Sequence, residues 1–353
     1  MNLGRMTDHA GEWLRGTGPQ SDIVVSSRVR LARNLAGFPF VNRAANRQRL
    51  EVLQRSRQQI LEGQLAEDMI WVDLNECQPM DRQLLVERHL ISRQHAKAGD
   101  ELPRGVAVGL NESVSIMVNE EDHLRVQVLR SGMQLGEAFE QINRIDNELE
   151  KRLDFAFSQK YGYLTACPTN VGTGIRVSVM MHLPALKLTG EIDKVKRAAK
   201  DMHLAVRGMF GEGSDAIGDL FQISNQTTLG RGEQEILADF QHTVVPQIIA
   251  YEQQARQALV RQRPALLDDG IWRAWAVLNN ARLMRTDEVL SLISQVRLGV
   301  TMGRLEMVSM RTLNELFLMT QPAHLQKLMG SDLDPAQRRE ARATLIRKRL
   351  GQA

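Results

Sequence analysis

The chain has 353 residues, of which 43% are apolar, 25% charged and 5% aromatic, and its formal net charge is +3. The length predicts two domains at roughly 150 residues each, and the composition excludes collagen-like, low-complexity and disordered chains. No apolar run reaches the roughly 18 residues of a transmembrane helix, and the N-terminus lacks the apolar stretch of a secretory signal. With two cysteines, Cys77 and Cys167, the sequence predicts a cytoplasmic protein without a disulfide framework.

Hydrophobic periodicity predicts mixed helices and strands as far as about residue 260. In chain order these are a strand within 21–35, a helix at 46–61, a strand at 69–74, a helix at 81–91, strands at 113–118 and 124–129, a helix at 134–153, strands at 163–166 and 175–183, a helix at 191–204, a glycine-rich loop at 207–214, a strand at 220–223 and a helix at 234–260. The strands on either side of residues 119–123 predict a β-hairpin with an acidic tip. After Pro264 only amphipathic helical patterns follow. The predicted fold class is therefore α+β, an antiparallel sheet flanked by helices, followed by an all-helical C-terminal domain.

Several common functional signatures are absent from the sequence. There is no Walker-type phosphate loop, and the catalytic and metal-binding motifs of ordinary protein kinases are missing. There is no HExxH, CxxC or GxSxG motif either, so the sequence predicts no metal held by the protein itself. Arginine makes up 36 of the 45 basic residues, which fits either arginine-rich codon usage or bidentate phosphate binding.

Five arginines stand beside serine or glycine turns. Arg28 and Arg30 alternate on a predicted strand and so share one face, and Arg125, Arg176 and Arg207 follow turns farther along the chain. Each arginine taken alone can be interpreted as a solvated charge on the protein surface. Together they are compatible with a clamp for a polyphosphate, without specifying one.

Three further features have ordinary explanations as well. The cluster Glu120-Glu121-Asp122 fits an exposed hairpin tip, Cys167 fits an inert thiol, and His89 fits a packed histidine on a leucine-rich helix. Sequence chemistry alone therefore leaves their function open.

Three longer motifs contain these residues and resemble those of the guanidino (phosphagen) kinases. They are SSRVR at 26–30, NEEDHLR at 119–125 and CPTNVGTGIR at 167–176, and they occur in the family's order over roughly residues 20–255. The resemblance implies the antiparallel, glutamine-synthetase-like catalytic domain of that family at 21–258. Residues 1–20 would form a lead segment, and 264–353 a helical C-terminal domain. The short lead segment and the helical extension resemble a bacterial branch of the family that acts on arginine side chains in proteins.

The resemblance implies that ATP donates its γ-phosphoryl group and that Mg²⁺ bridges the phosphates. Residues matching the family's nucleotide site are Ser26, Ser27, Arg28, Val29, Arg30, His89, Arg125, Arg176, Val177, Ser178, Val179, Met180, Arg207, Gly208, Met209, Phe210, Gly211 and Glu212. On the acceptor side, Glu121 matches the catalytic glutamate and Glu212 a second glutamate that binds the guanidinium. Cys167 would position the substrate, with nearby arginines favouring its thiolate.

The C-terminal segment resembles the same branch at one further motif. In that branch an RDxxRA sequence forms an allosteric phosphoarginine pocket, and this chain has Arg338, Arg339, Arg342 and Ala343 at the corresponding positions. Arg339 replaces the expected aspartate, so the phosphate contacts are retained while the partner for the ligand's guanidinium is lost. A basic helix end in water is the alternative.

The leading hypothesis is a cytoplasmic, stress-related kinase for arginine side chains in proteins. By resemblance, its partners would be protein substrates with exposed arginines, a zinc-binding activating adaptor, a stress-gene repressor and the Clp protease system. It could form a homo-oligomer, and neither a membrane nor a nucleic acid is expected as a direct partner. The alternatives are a kinase for free arginine or another small guanidino compound, and a non-catalytic phosphoarginine-binding adaptor.

Overall fold

The structure is a computed structural model that describes residues 6–7, 9–97, 102–209 and 216–351. Its strands are β1 (Val24–Arg33), β2 (Ile70–Asp73), β3 (Gly105–Val108), β4 (Val114–Val118), β5 (Leu124–Ser131), β6 (Phe157–Ser158), β7 (Gly162–Tyr163), β8 (Ile175–His182), β9 (Leu204–Gly208) and β10 (Leu220–Asn225). Eight of them form one sheet in the order β2-β3-β4-β5-β1-β8-β10-β9, in which every neighbouring pair is antiparallel. Strands β6 and β7 form a separate short hairpin.

The helices alternate with these strands and then continue alone to the end of the chain. They are α1 (Asn46–Glu62), α2 (Pro79–Glu87), α3 (Arg93–Ala96), α4 (Leu135–Glu150), α5 (Pro184–Leu188), α6 (Ile192–Asp201), α7 (Glu233–Asp239), α8 (Val245–Gln262), α9 (Pro264–Asn280), α10 (Thr286–Thr301), α11 (Met310–Met319), α12 (Pro322–Met329) and α13 (Pro335–Leu350). Within the described ranges, no helix is both long and apolar enough to cross a membrane.

The sequence prediction of an antiparallel sheet with helices and a helical C-terminal region is confirmed. The acidic hairpin is also confirmed, since β4 and β5 pair on either side of residues 119–123. The short strand β3 was missed, because four buried residues, Gly-Val-Ala-Val, carry no alternation.

Two local predictions are wrong. His89 is not on a helix: α2 ends at Glu87, and His89 has a left-handed backbone with φ 58°. Arg207 does not open a loop, because it lies on β9. In these two cases a tertiary contact or a short strand overrides the local sequence pattern. The long helix predicted at 234–260 is confirmed, with a π-helical turn at Phe240–Val244 between α7 and α8.

The side chains of the central strand β1 alternate between two chemically different faces of the sheet. Val29 and Leu31 point to one face, where Ile142 and Leu149 of α4 cover them in a continuous apolar core. Ser27 is on the same face, and its hydroxyl accepts a hydrogen bond from the backbone N–H of Gln134 at the start of α4. Because side chains alternate along a strand, the arginines of β1 lie on the opposite face.

The C-terminal helices share the core of the sheet. Leu290, Phe317 and Ile346 belong to the same apolar cluster as the residues under α4. The hydroxyl of Ser294 on α10 donates to Asp219 at 2.6 Å and accepts from Nε2 of His182 at 2.8 Å. These three side chains are buried, so they form a polar contact within the apolar interface between the C-terminal helices and the sheet.

We predict that Ser294→Ala lowers the free energy of unfolding by about 1–3 kcal/mol, because buried Asp219 and His182 each lose a partner. Ser291→Ala is the matched control, since the exposed Ser291 hydroxyl donates only to a carbonyl of its own helix. The control should change stability by less than about 0.5 kcal/mol. Urea unfolding measures both variants, and equal effects would contradict the prediction.

Candidate active site

Five arginines lie on one face of the sheet, which we call the arginine face. Arg28 and Arg30 are on β1, Arg125 on β5, Arg176 on β8 and Arg207 on β9. The antiparallel register places Arg30 directly opposite Arg176, and it connects Arg207 to β1 through paired residues on β10 and β8. Residues directly opposite one another share a face, so arginines far apart in sequence converge.

The arginine face carries a strong excess of positive charge. Burial, together with the charges of Arg125 and Arg176, lowers the pKa of Arg28 to about 9. Burial and the same neighbours, with Arg28 itself, lower the pKa of Arg30 well below its usual value. Arg28 donates a hydrogen bond to the neutral side chain of Gln222 at 2.7 Å. A polyanion bound here would relieve this repulsion, and guanidinium groups are well suited to phosphate oxygens.

His89 lies against the arginine face. Its carbonyl accepts a hydrogen bond from Gln127 of β5 at 2.6 Å, and its ring meets the indole of Trp13 edge-on with centroids 4.4 Å apart. Burial and the charges of Arg28 and Arg93 lower the pKa of His89 to about 3. A neutral aromatic ring beside the arginines provides an apolar contact of the kind a nucleotide base requires.

The residues before His89 attach this turn to the C-terminal helices. Glu87 accepts hydrogen bonds from the backbone N–H groups of Ala323 and His324 at the start of α12, and it contacts Nδ1 of His324 at 2.7 Å. Arg88 is fully buried and donates to both carboxylate oxygens of Glu112. Three consecutive residues therefore contact α12, a buried acid and the arginine face.

Glu120, at the acidic hairpin tip, is held by hydrogen bonds from neighbouring side chains. Its carboxylate accepts hydrogen bonds from Arg125 and from the hydroxyl of Ser92, both at 2.6 Å. Burial opposes the negative charge of Glu120, but Arg125 and Ser92 outweigh it and lower the pKa to about 2. Glu120 is therefore ionised and already engaged.

Glu121 occupies the opposite kind of environment. It is partly exposed and lines a cavity of about 350 Å³ together with Asn119, Glu120 and Ala166. Burial and the charges of Asp122 and Glu120 raise the pKa of Glu121, while Arg125 and Arg176 act against this shift. A carboxylate with a raised pKa beside a cationic face can bind a guanidinium and accept its proton.

Asp122 joins the hairpin tip to the loop that contains Cys167. One of its carboxylate oxygens accepts hydrogen bonds from the Asn34 side chain and from the backbone N–H of Ala166, both at 2.7 Å. Asn34 in turn accepts from the backbone N–H of His123. Cys167, next to Ala166, is partly exposed and contacts the Thr169 hydroxyl at 3.0 Å. Asp122 thus fixes the Cys167 loop relative to Glu121.

The glycine turn before Arg176 is held by a buried ion pair. Arg33 donates to Asp146 at 2.6 Å and to the carbonyl of Thr173 at 2.8 Å. The ring of Tyr163 lies 3.5 Å from the Arg33 guanidinium carbon. Gly174 has φ 68° and its Cα faces the Ala32 carbonyl so closely that a Cβ would lie 2.7 Å from that oxygen. This close approach fixes the strand that presents Arg176.

Only some of the residues predicted for the nucleotide site reach the arginine face with their side chains. Ser26, Ser178 and Met180 share that face by register with Arg28. The side chains of Ser27, Val29, Val177 and Val179 point to the opposite face, so only their backbone follows the site. Gly208 and Met209 are buried at the end of β9. Phe210, Gly211 and Glu212 lie outside the described residues.

The C-terminal motif lies on α13. Arg342 is buried and donates to the carbonyls of Thr320, Met284 and Arg338 at 2.7, 2.9 and 3.3 Å. Ala343 is fully buried, whereas Arg339 is exposed and Arg338 is partly exposed. The Arg342 guanidinium therefore serves to join three segments of the helical region.

Sequence reasoning missed several residues that shape the site. They are Trp13, Asn34, Ser92, Gln222 and Asn225. Their signal in the sequence was weak because they act through long-range hydrogen bonds or ring contacts. The strand predicted at 220–223 was the only hint that Gln222 could face the arginines.

Two family models match the chain. The model described as the C-terminal catalytic domain of ATP:guanido phosphotransferases matches residues 51–255. The model described as "Protein-arginine kinase McsB C-terminal domain" matches residues 264–353. The chain belongs to the ATP:guanido phosphotransferase family, and it is a kinase that uses ATP and acts on a guanidino group.

The curated relatives of this chain include protein-arginine kinases. One from Halothermothrix orenii is 47% identical over 341 residues, covering 96% of each chain. Another from Bacillus subtilis is 43% identical over 345 residues, covering 97% of this chain and 94% of the relative. The family resemblance inferred from the three motifs is thereby confirmed.

Solved structures of phosphagen kinases share the fold. A lombricine kinase covers 71% of this chain and 72% of its own, with 26% identity and a TM-score of 0.58. The duplicated taurocyamine kinase of Schistosoma mansoni, solved with transition-state analogue components, has 27% identity and a TM-score of 0.61. It covers 70% of this chain, which spans about a third of that longer chain (34%).

We predict that the two neighbouring glutamates differ in their effect on stability. Glu120→Gln should lower the free energy of unfolding by about 3 kcal/mol, because Arg125 loses its buried carboxylate. Glu121→Gln should leave stability at neutral pH equal or higher. The raised pKa of Glu121 means that folding disfavours its charged form, and glutamine removes that charge. Urea unfolding at pH 7 compares the variants, and a larger loss for Glu121→Gln would contradict the assignment.

Proposed function

We propose that the protein phosphorylates arginine side chains in proteins, producing phosphoarginine and ADP. The observation that carries this proposal is Glu121, a partly exposed carboxylate with a raised pKa beside the arginine face. The named relatives support a protein acceptor, because protein-arginine kinases match almost the full length of this chain.

The proposed reaction is a direct transfer. A guanidinium nitrogen attacks the γ-phosphorus of ATP, an N–P bond forms, the bond to the β,γ-bridging oxygen breaks, and that oxygen leaves with ADP. Glu121 takes the proton released by the nitrogen, which a guanidinium retains strongly at neutral pH. Arg28, Arg30, Arg125 and Arg176 hold the phosphates and stabilise the charge on the transferring group.

Two further residues complete the proposed acceptor side. Cys167 positions the guanidinium, supported by the hydrogen bond that ties its loop to Asp122 next to Glu121. Glu212 would bind the guanidinium as a second carboxylate, on the strength of the sequence motif alone. Neither residue needs to form a covalent intermediate, because the transfer is direct.

Mg²⁺ is part of the proposal as the partner of the ATP phosphates. It would be held mainly by phosphate oxygens and water, as is usual for this ion in nucleotide sites. Arg28 and Arg30, whose pKa values are lowered by burial and by neighbouring arginines, suit a nucleotide whose charge is only partly neutralised by the metal.

We predict that Glu121→Gln lowers kcat by about 10²–10⁴-fold, because the amide cannot accept the proton. The activity of the wild type should rise with pH as Glu121 loses its proton, above the ordinary range of a glutamate pKa. Asp122→Asn removes a neighbouring negative charge, so it should move this acid limb of kcat/KM to lower pH.

Mass spectrometry measures the product formed when an arginine-containing protein is incubated with ATP and Mg²⁺. The sample is handled without acid, because the N–P bond is labile in acid. Asp193→Asn is the control for a lost carboxylate, because Asp193 is exposed on α6. Rates of Glu121→Gln within tenfold of the wild type would remove Glu121 from the catalytic role.

A kinase for free arginine or another small guanidino compound is the second candidate. It is favoured by the solved neighbours, which are named as lombricine and taurocyamine kinases. The ratio of kcat/KM for a protein substrate over free arginine separates the two. An adaptor without catalysis is disfavoured, since Glu121, Cys167 and the arginines are all retained.

The remaining parts of the proposal rest on resemblance. They are a cytoplasmic location, in keeping with free Cys77 and Cys167, a homo-oligomeric state, and a zinc-binding activating adaptor. They also include a stress-gene repressor as substrate and delivery of phosphorylated proteins to the Clp protease system. The domain limits 21–258 and 264–353 are supported by the extents of the two matching family models.

A phosphoarginine pocket on α13 is also proposed, with Arg338 as its accessible cation. We predict that Arg338→Ala abolishes any change in kinase rate caused by added phosphoarginine. Arg342→Ala should instead lower stability, because the buried carbonyls of Thr320 and Met284 lose their donor. Calorimetry and rate assays on the full chain at millimolar phosphoarginine test this, and no saturable heat in the wild type would retire the pocket.

A further inference from the structure

The cavity beside Glu121 also contains positive charge that the proposed chemistry does not use. Arg49 of α1 and Arg104, just before β3, both line it, and both are partly exposed. The residues of this cavity that match the family motifs are Asn119, Glu120 and Glu121. These two guanidinium groups are unexpected in a site proposed to bind the guanidinium of an acceptor arginine, because like charges repel.

The hydrogen bonds of these two arginines leave much of their donor capacity unused. Arg49 donates to the Val41 carbonyl at 2.9 Å and to Asn46 at 3.2 Å. Arg104 donates to the Gln94 carbonyl at 3.3 Å, and its Nε atom is buried without a partner. Across the part of the chain that the structure describes, no carboxylate lies within 4 Å of either guanidinium.

Among the residues that the structure describes, neighbouring acids do not neutralise this pair. Burial and the charge of Arg49 lower the pKa of Arg104, with Glu120 acting in the other direction. Glu120, however, already accepts hydrogen bonds from Arg125 and Ser92. Glu121 is the carboxylate needed for the acceptor. The cavity therefore has an acidic part for a guanidinium and a basic part to which no acid of the described ranges supplies an anion.

We propose that Arg49 and Arg104 bind a carboxylate of the acceptor, so that the kinase selects arginines that have an acidic group nearby. The inference rests on the proposed function and specifies its substrate class. In a protein the carboxylate is an aspartate or glutamate next to the target arginine. In a small acceptor the same chemistry is supplied by the α-carboxylate of free arginine.

The geometry of the groups suits this assignment. A guanidinium fork binds a carboxylate through two parallel hydrogen bonds, and the Nη2 atoms of Arg49 and Arg104 take no part in the hydrogen bonds given above. A cavity of about 350 Å³ has room for an arginine side chain and a neighbouring carboxylate. An acidic neighbour would also bring an arginine to this basic surface with less repulsion.

The test compares two peptides that differ only in the residue next to one arginine, glutamate in one and glutamine in the other. The wild type should show about tenfold higher kcat/KM for the glutamate peptide, mainly through KM. Arg49→Gln and Arg104→Gln should each reduce this ratio, and the double variant should bring it within about twofold of unity. Arg104→Lys keeps the charge and should retain part of the preference.

Arg47→Gln is the matched control, because Arg47 is exposed on α1 two residues from Arg49 and does not line the cavity. It should keep the wild-type ratio. Equal kcat/KM for the two peptides in the wild type would overturn the inference while leaving the proposed function intact. A preference that survives in the double variant would also overturn it.

The two failures remain distinguishable. If neither peptide is phosphorylated while free arginine is, the proposed protein acceptor is wrong. The carboxylate site is then tested with free arginine and argininamide, which lacks the carboxylate. A preference of about tenfold for free arginine that disappears in Arg104→Gln would support the site, and equal rates would overturn it.

Discussion

Repulsion among arginines on one face of the sheet is the constraint on which the rest of the structure depends. Arg28, Arg30 and Arg176 come together because two antiparallel strands, β1 and β8, fix their register, and none of them can turn to the apolar face under α4. Holding such charges half-buried costs free energy. Glu120 offsets part of that cost by pairing with Arg125, and in the proposed function the phosphates of ATP would offset the remainder. The site is therefore pre-organised for an anion rather than shaped by it.

The adjacent acidic residues at the hairpin tip lie in different environments. Glu120 and Glu121 are consecutive, yet Arg125 keeps one ionised while burial and neighbouring acids disfavour the charge of the other. Asp122 completes the arrangement by binding the backbone beside Cys167. A run of three acids thus separates into a partner for Arg125, a proposed proton acceptor and a structural contact.

Much of this could be predicted from the sequence, and the parts that could not have physical reasons. The alternation of Arg28 and Arg30 predicted a shared face, and the three motifs indicated the family and its fold. The pairing of Arg30 with Arg176 could not be predicted, because register between distant strands depends on the whole sheet. His89 was assigned to a helix, since nothing local indicates a left-handed residue after Glu87. Ser27 and Val29 belong to the motif but face α4, because period-two alternation divides a contiguous motif between two faces.

The turn at residues 87–89 links the C-terminal helical region to the proposed nucleotide site. Departure of α12 would take from Glu87 the two backbone donors and the histidine contact that hold it, leaving a buried carboxylate uncompensated. His89 lies two residues on with a left-handed backbone, and its carbonyl also accepts a hydrogen bond from Gln127 of β5. The turn is therefore held from two sides, and local opening of α12 would remove one of them. In hydrogen exchange, the amides of this turn would then respond to opening of the first turn of α12.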